Sequence, residues 1–208
     1  MKNKTVIEWT KELASKDGKY GGGSAASVVG AFAASLAQFV FELQAGKEKY
    51  ADHEEQIQAA IRKAEVFTEE LLDLAEIDAD AFEPVLNLFK LPKDTAEEKA
   101  YRREKIDQGL EEAAKPPQDI LKKMDQVLDL FEELLELKVR GTIVDDIAVG
   151  LFFTEATVES AKINCMVNIK LIKNEDQKMK LTNEVEEVYA ATLKRTRHLK
   201  DEALEILH

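Results

Sequence analysis

The chain has 208 residues, 45% of them apolar and 34% charged, with a formal net charge of −12. That composition excludes a disordered chain and fits one large helical domain over residues 1–208 rather than two small ones. The acidity argues against a general nucleic-acid binder, and the lone Cys165 excludes an intrachain disulfide framework or a multi-cysteine metal site. A reducing cytoplasm is the expected compartment. Met1-Lys2-Asn3-Lys4 mimics the basic start of a secretory signal, but Glu8, Lys11 and Glu12 interrupt the residues after it with charge.

Nearly every segment reads as helix. The first is expected over Thr5 to Ser15, and Asp17-Gly18 then opens a loop that runs to Gly23. Ser24 to Phe41 is an uncharged helix of about the minimum length to span a membrane. It carries Ser27, Ser35 and Gln38, however, and its neighbours look soluble. Small residues recur at Ala26, Gly30 and Ala34, so a second helix can approach closely there, in a core or at a dimer interface. Ala45-Gly46-Lys47 is a plausible stop. From about Asp52, Ile57, Ala60, Ile61, Ala64, Phe67, Leu71, Leu74 and Ala75 trace one buried helical face.

Asp78 to Lys90 continues as helix, offset by Pro84, until Leu91-Pro92-Lys93 breaks it. Asp94-Thr95-Ala96-Glu97 resembles a capped start, with a side-chain acceptor followed three residues later by Glu. Lys115-Pro116-Pro117 marks the next boundary, Pro117 suiting a first helical turn, and another helix runs to about Leu137. Val144 to Ile172 is mostly apolar and helical, and Asn174-Glu175-Asp176-Gln177 caps the last helix. No run alternates like a strand. Short connections between helices predict an all-α, multihelical bundle of antiparallel neighbours.

Familiar catalytic patterns are missing: His53, His198 and His208 lack ligand-like spacing, and no metalloprotease, P-loop or dinucleotide motif occurs. A metal-free site is the expectation. Gly21-Gly22-Gly23-Ser24 fronts a helix whose unpaired N–H groups and dipole suit an anionic group, with no side chain to bar its approach. Ser24 as a nucleophile is set aside, because no base or preceding strand accompanies it; capping is its expected job. Asp78 and Asp80 point in different directions from one helix, and Asp78 is the inward candidate. Of Asp145 and Asp146, one suffices as a cap, which leaves the other as a candidate functional group. Asn164 and Asn168 share one face of an apolar helix. Buried amides need partners, and for Asn168 an interhelical hydrogen bond is the favoured role.

GGGSAAS, DADAFEPVLNLFKLPK, DDIAVG and the Asn164/Asn168 helix occur in that order. Together they resemble the cyclodeaminase domain of formiminotransferase-cyclodeaminase and the stand-alone bacterial methenyltetrahydrofolate cyclohydrolases, over nearly the whole chain. The resemblance implies a multihelical, homodimeric folate enzyme without a metal, acting as cyclodeaminase or cyclohydrolase. Both reactions pass through a cationic folate carbon and need a carboxylate near it and a proton shuttle. Asp78 and Asp146 are the implied catalytic pair. The glycines, Ser24, Asp145 and Asn164 are implied substrate contacts, and Lys90 and Lys93 would hold a folate tail that is often polyglutamylated. The chain departs from the family pattern at Tyr20, where proline is usual, at Asp145, where serine is usual, and at Arg140-Gly141-Thr142, where asparagine-rich residues are usual. A non-catalytic folate-binding or scaffold protein that kept the fold is the alternative.

Overall fold

The computed structural model describes residues 4–207; the first three residues of the basic opening and His208 lie outside the described residues. Helix α1 (Val6–Leu13) starts in a reciprocal capping box between Thr5 and Glu8. It is held by Trp9, which packs on Tyr20, Val28 and Ala75. Helix α2 (Gly22–Gln44) begins two residues earlier than its composition predicts and takes Gly22 and Gly23 into its first turn. It ends as expected, with Gly46 just beyond at φ 70°, the left-handed region that glycine occupies without strain. Among the described residues α2 is the one helix long and apolar enough to cross a membrane. Its Ala33, Ala34, Ala37, Val40 and Phe41 are nonetheless fully buried within the bundle.

A 3-10 turn (Glu48–His53) leads into α3 (Glu54–Ala81), whose buried face is the predicted one apart from half-buried Leu74. Phe82 then separates α3 from the short α4 (Glu83–Leu88), where Pro84 sits in the first turn and needs no N–H partner. Helix α5 (Ala96–Glu136) is capped by Thr95 with Glu98, one residue later than the predicted Asp94–Glu97 pair. The predicted boundary at Pro116-Pro117 is overturned: α5 passes through both prolines. Packing outweighs propensity there, since Leu110, Ala113 and Ala114 before the prolines, and Ile120, Leu121 and Met124 after them, are all buried.

Helix α6 (Val144–Ile169) and α7 (Glu175–Leu207) complete the bundle, with Asn174 accepting the Gln177 N–H at 3.1 Å as the predicted cap of α7. The side chain of Asp107, 5% exposed, fixes the α6–α7 turn by accepting the N–H groups of Lys173 and Asn174 at 2.9 and 3.1 Å. Helices α2 and α6 run antiparallel, marked by Thr157 Oγ1 donating to the Ala26 carbonyl at 3.2 Å and by Gly150 lying against Leu36. The small stripe of α2 serves this packing within the chain: a Cβ at Gly30 would meet Met124 of α5, Thr157 of α6 and Leu71 of α3. Ala26 and Ala34 are buried too, so the stripe is not free to form a dimer seam.

Candidate functional site

Gly21, the residue before α2, is extended and contributes no side-chain cap, so the first N–H groups of the helix depend on outside partners. One partner comes from the last turns of α3. Ser24 donates from Oγ to Asp78 Oδ2 at 3.1 Å, and its backbone N–H also serves the carboxylate. A Cβ at Gly23 would lie 2.6 Å from Asp78 Cγ, so only glycine admits the carboxyl this close. Asp78 thus takes up one N–H of this helix end, that of Ser24, while Gly21, Gly22 and Gly23 line the neighbouring cavity.

Burial raises the pKa of Asp78 above the usual carboxylate value, and the Ser24 hydrogen bonds oppose that rise without cancelling it. Asp80, two residues on, turns outward to Lys19, whose Nζ lies 3.0 Å from Asp80 and 2.9 Å from Glu76. The inward and outward assignment of the two aspartates is the one the helical spacing predicted.

Gly22, Gly23, Asp78, Phe82, Asn164 and Asn168 line a cavity of about 270 Å³, with Lys19 at its rim. The Asn164 amide faces Gly22, its Oδ1 3.6 Å from where a Cβ would stand, and Nδ2 donates to the Ser160 carbonyl at 2.8 Å. Asn168 makes the expected interhelical bond, from Nδ2 to the Ala113 carbonyl of α5 at 2.9 Å. Lys19 and Phe82 were not singled out by sequence. Lys19 had one available signal, its place just before the Tyr20-Gly21 junction.

Tyr20, at the position where the resemblance expects proline, is buried against Trp9 at 5.2 Å between ring centroids. Its hydroxyl donates to Glu76 Oε1 at 2.7 Å and accepts from Lys4 at 3.2 Å. It therefore ties the glycine turn to α3 within a turn of Asp78.

Other expected members stand apart. Lys90 and Lys93 are exposed and do not line the cavity; Lys90 donates to Asn87 at 2.9 Å. Asp145 is exposed and accepts the Asp146 N–H at 3.0 Å, while Asp146 is half-buried in the first turn of α6. Burial first, and then the neighbouring Asp145 charge, raise the pKa of Asp146. Asp146 and Asn164 stand at opposite ends of α6, about 27 Å apart at about 1.5 Å per residue. One chain thus does not bring Asp146 to Asp78, and the expected convergence of the two within the bundle is corrected. Cys165 is fully buried, which pushes its thiol up to about 12, too high for a thiolate nucleophile. Among the described residues no group of three or more His, Cys, Asp or Glu side chains is arranged to hold a metal ion.

The chain is 34% identical over 168 residues to the methenyltetrahydrofolate cyclohydrolase of Methylorubrum extorquens, covering 81% of this chain and 80% of that protein. It is 29% identical over 170 residues to the formimidoyltransferase-cyclodeaminase of Sus scrofa, of which it spans only 31%. Its fold matches the crystal structure of formiminotetrahydrofolate cyclodeaminase from Thermotoga maritima, with a TM-score of 0.79 at 25% identity over 98% of both chains. The sequence profile of formiminotransferase-cyclodeaminase matches residues 5–187. The cavity between the ends of α2, α3 and α6 thus lies in a chain that belongs to the formiminotransferase-cyclodeaminase family.

Proposed function

We propose that the chain hydrolyses 5,10-methenyltetrahydrofolate to 10-formyltetrahydrofolate as a homodimer. Water adds to the cationic carbon and yields a proton to Asp78, which releases it to solvent. The hydroxyl proton of the adduct then moves to N5 as the bond from the carbon to N5 breaks, leaving the formyl group on N10. The observation that carries this reading is the Asp78 carboxyl, held over Gly23 by Ser24 and raised in pKa by burial, beside a cavity walled by Asn164. The similarity to a stand-alone cyclohydrolase over most of both lengths supports the choice of reaction.

Cyclodeamination of 5-formiminotetrahydrofolate is the second reading, favoured by the end-to-end likeness to the Thermotoga protein. There N10 attacks the formimino carbon, and its proton reaches the leaving nitrogen, which departs as ammonia. Both readings use folate as substrate and call on no metal.

The dimer reading rests on the outward faces of α2 and α6. Phe32 and Phe39 of α2 are 45% and 48% exposed, and Phe152, Ile163 and Val167 of α6 are 49%, 62% and 56% exposed. Because the two helices are antiparallel neighbours, these residues form one apolar surface between Asp146 at one end and the cavity at the other. A two-fold axis through the middle of that surface would carry the partner's Asp146 to the cavity and supply its second carboxylate. Lys90 and Lys93, exposed beyond α4, would hold the polyglutamate tail outside it.

Turnover is tested by loss of methenyltetrahydrofolate absorbance and by ammonia release from the formimino compound. Folate binding without either reaction would replace the enzyme reading with the non-catalytic one. An Asp78→Asn protein with unchanged turnover would overturn the role of Asp78.

A further inference from the structure

Helix α5 forms part of the cavity wall just before Pro116 and Pro117. In an α-helix each N–H pairs with the carbonyl four residues back, so these prolines leave the carbonyls of Glu112 and Ala113 without helical partners. Ala113 is 3% exposed, and its carbonyl needs a donor from elsewhere. Asn168 supplies it from α6, with Nδ2 at 2.9 Å, and the same nitrogen lies 3.4 Å from the Asn164 carbonyl. A side-chain amide has two N–H groups, and here both meet backbone carbonyls. Turning the amide over would set Oδ1 against two carbonyl oxygens, so the hydrogen-bond network fixes its orientation. The oxygen is the group that Asn168 has left to offer the cavity.

We propose that Pro117 is a positioning residue: by freeing the Ala113 carbonyl it holds Asn168 with its amide oxygen toward the ligand, so that this wall selects folates presenting positive charge. The inference deepens the folate reading above and rests on it. The remainder of the lining agrees. Asp78 adds a second oxygen acceptor, and Lys19 at the rim is engaged by Glu76 and Asp80. Such a wall binds the cationic methenyl substrate better than a neutral formyl folate, and so favours release of the product once the charge is lost.

The test compares the KM for 5,10-methenyltetrahydrofolate with the Ki of neutral 5-formyltetrahydrofolate as a competitive inhibitor. Asn168→Ala is expected to raise the KM about tenfold, the scale of removing one carbonyl dipole set against a cation in a partly dry site, and the Ki by less than about twofold. The loss should fall on KM more than on kcat. Pro117→Ala returns an N–H to the helix and should move the same ratio in the same direction. The double variant should be no worse than Asn168→Ala alone, because the proline acts through the asparagine. If Asn168→Ala does not fold, as judged by its melting transition, Pro117→Ala carries the test. Equal weakening toward both folates, or an unmoved ratio in Pro117→Ala, overturns the proposal while the folate reading stands. If the unmodified chain binds neither folate, both fall together.

Discussion

Gly23→Ala is the sharpest probe of the site, because it adds one methyl group and removes none. The new Cβ would lie 2.6 Å from Asp78 Cγ, well inside van der Waals contact, so the carboxyl has to withdraw from the end of α2. Ser24 then loses the acceptor for both its hydroxyl and its backbone N–H. Losing a hydrogen bond to a charged group costs about 1.5–3 kcal/mol. Replacing glycine by alanine inside a helix returns up to about 1 kcal/mol, and Gly23 has no positive φ to oppose it. With two such bonds lost, about 2–5 kcal/mol of net destabilisation remains, which for a chain of this size lowers Tm by at least about 4 °C. The rate should suffer far more, since displacing a proton-transfer group from its working position removes about 10²-fold or more. A thermal melt and initial rates with methenyltetrahydrofolate give both numbers on one sample. A Gly23→Ala protein that keeps wild-type kcat would refute the argument that this glycine exists to admit Asp78.

The raised pKa of Asp78 makes a second prediction with a definite sign. The folded state favours the protonated carboxyl, so the stability this group contributes is complete below the ordinary carboxylate range and is lost as pH rises through its raised value. Asp78→Asn should therefore gain on the unmodified chain in denaturant titrations as pH climbs from about 3 to about 7, and a constant difference would count against the burial argument. The dimer reading predicts complementation: Asp78→Asn and Asp146→Asn proteins, each inactive alone, should recover up to about a quarter of wild-type activity after mixing and subunit exchange. No recovery, with exchange verified, would remove the partner's Asp146 from the site. Phe32→Asp should give a folded, inactive monomer by light scattering, and an active monomer would rule out a shared cavity. Lys93→Ala should raise the KM for polyglutamylated folate several-fold more than for the monoglutamate; equal effects would end its role in holding the tail.

Local rules carried the sequence reading a long way. The side-chain cap at Asn174, the glycine stop at Gly46 and the buried face of α3 depend on residues within a few positions of one another, and each was legible. The inward turn of Asp78 was legible for the same reason. Pro116-Pro117 was misread because proline's local cost is outweighed by tertiary contacts of α5 that no window of sequence contains. The separation of Asp146 from Asp78 was hidden for a different reason. Motifs give order along the chain, whereas distance depends on which helix is straight and which way it runs. The apolar outer face of α6 escaped notice because large apolar residues occur on its outer side as well as its core side, so periodicity could not tell Val149, Phe152, Ile163 and Val167 from its core residues.

The placement of charge around the cavity also bears on how an acidic chain can take an acidic ligand. A methenyl folate carries its positive one-carbon centre in the pterin region and its negative charges on the glutamate tail. Inside the cavity the side-chain oxygens belong to Asp78 and the asparagine amides, and among the described residues the one lining cation, Lys19, is paired. The exposed Lys90 and Lys93 stand outside it. A ligand entering tail first would bring carboxylates against Asp78 in a partly dry space, where like charges repel strongly. Entering head first, it brings a cation to the same group and leaves its carboxylates near the lysines and water. Under the proposed reading the net charge of −12 is thus no obstacle, because its local distribution would orient a folate. Reversing that distribution inside the cavity, with Asn164→Lys, should abolish binding of the methenyl cation at low and high salt alike, whereas the effect of Lys93→Ala should fade as salt screens the exposed tail contact. A salt dependence in the opposite order would mean that the head and tail of the ligand lie the other way round.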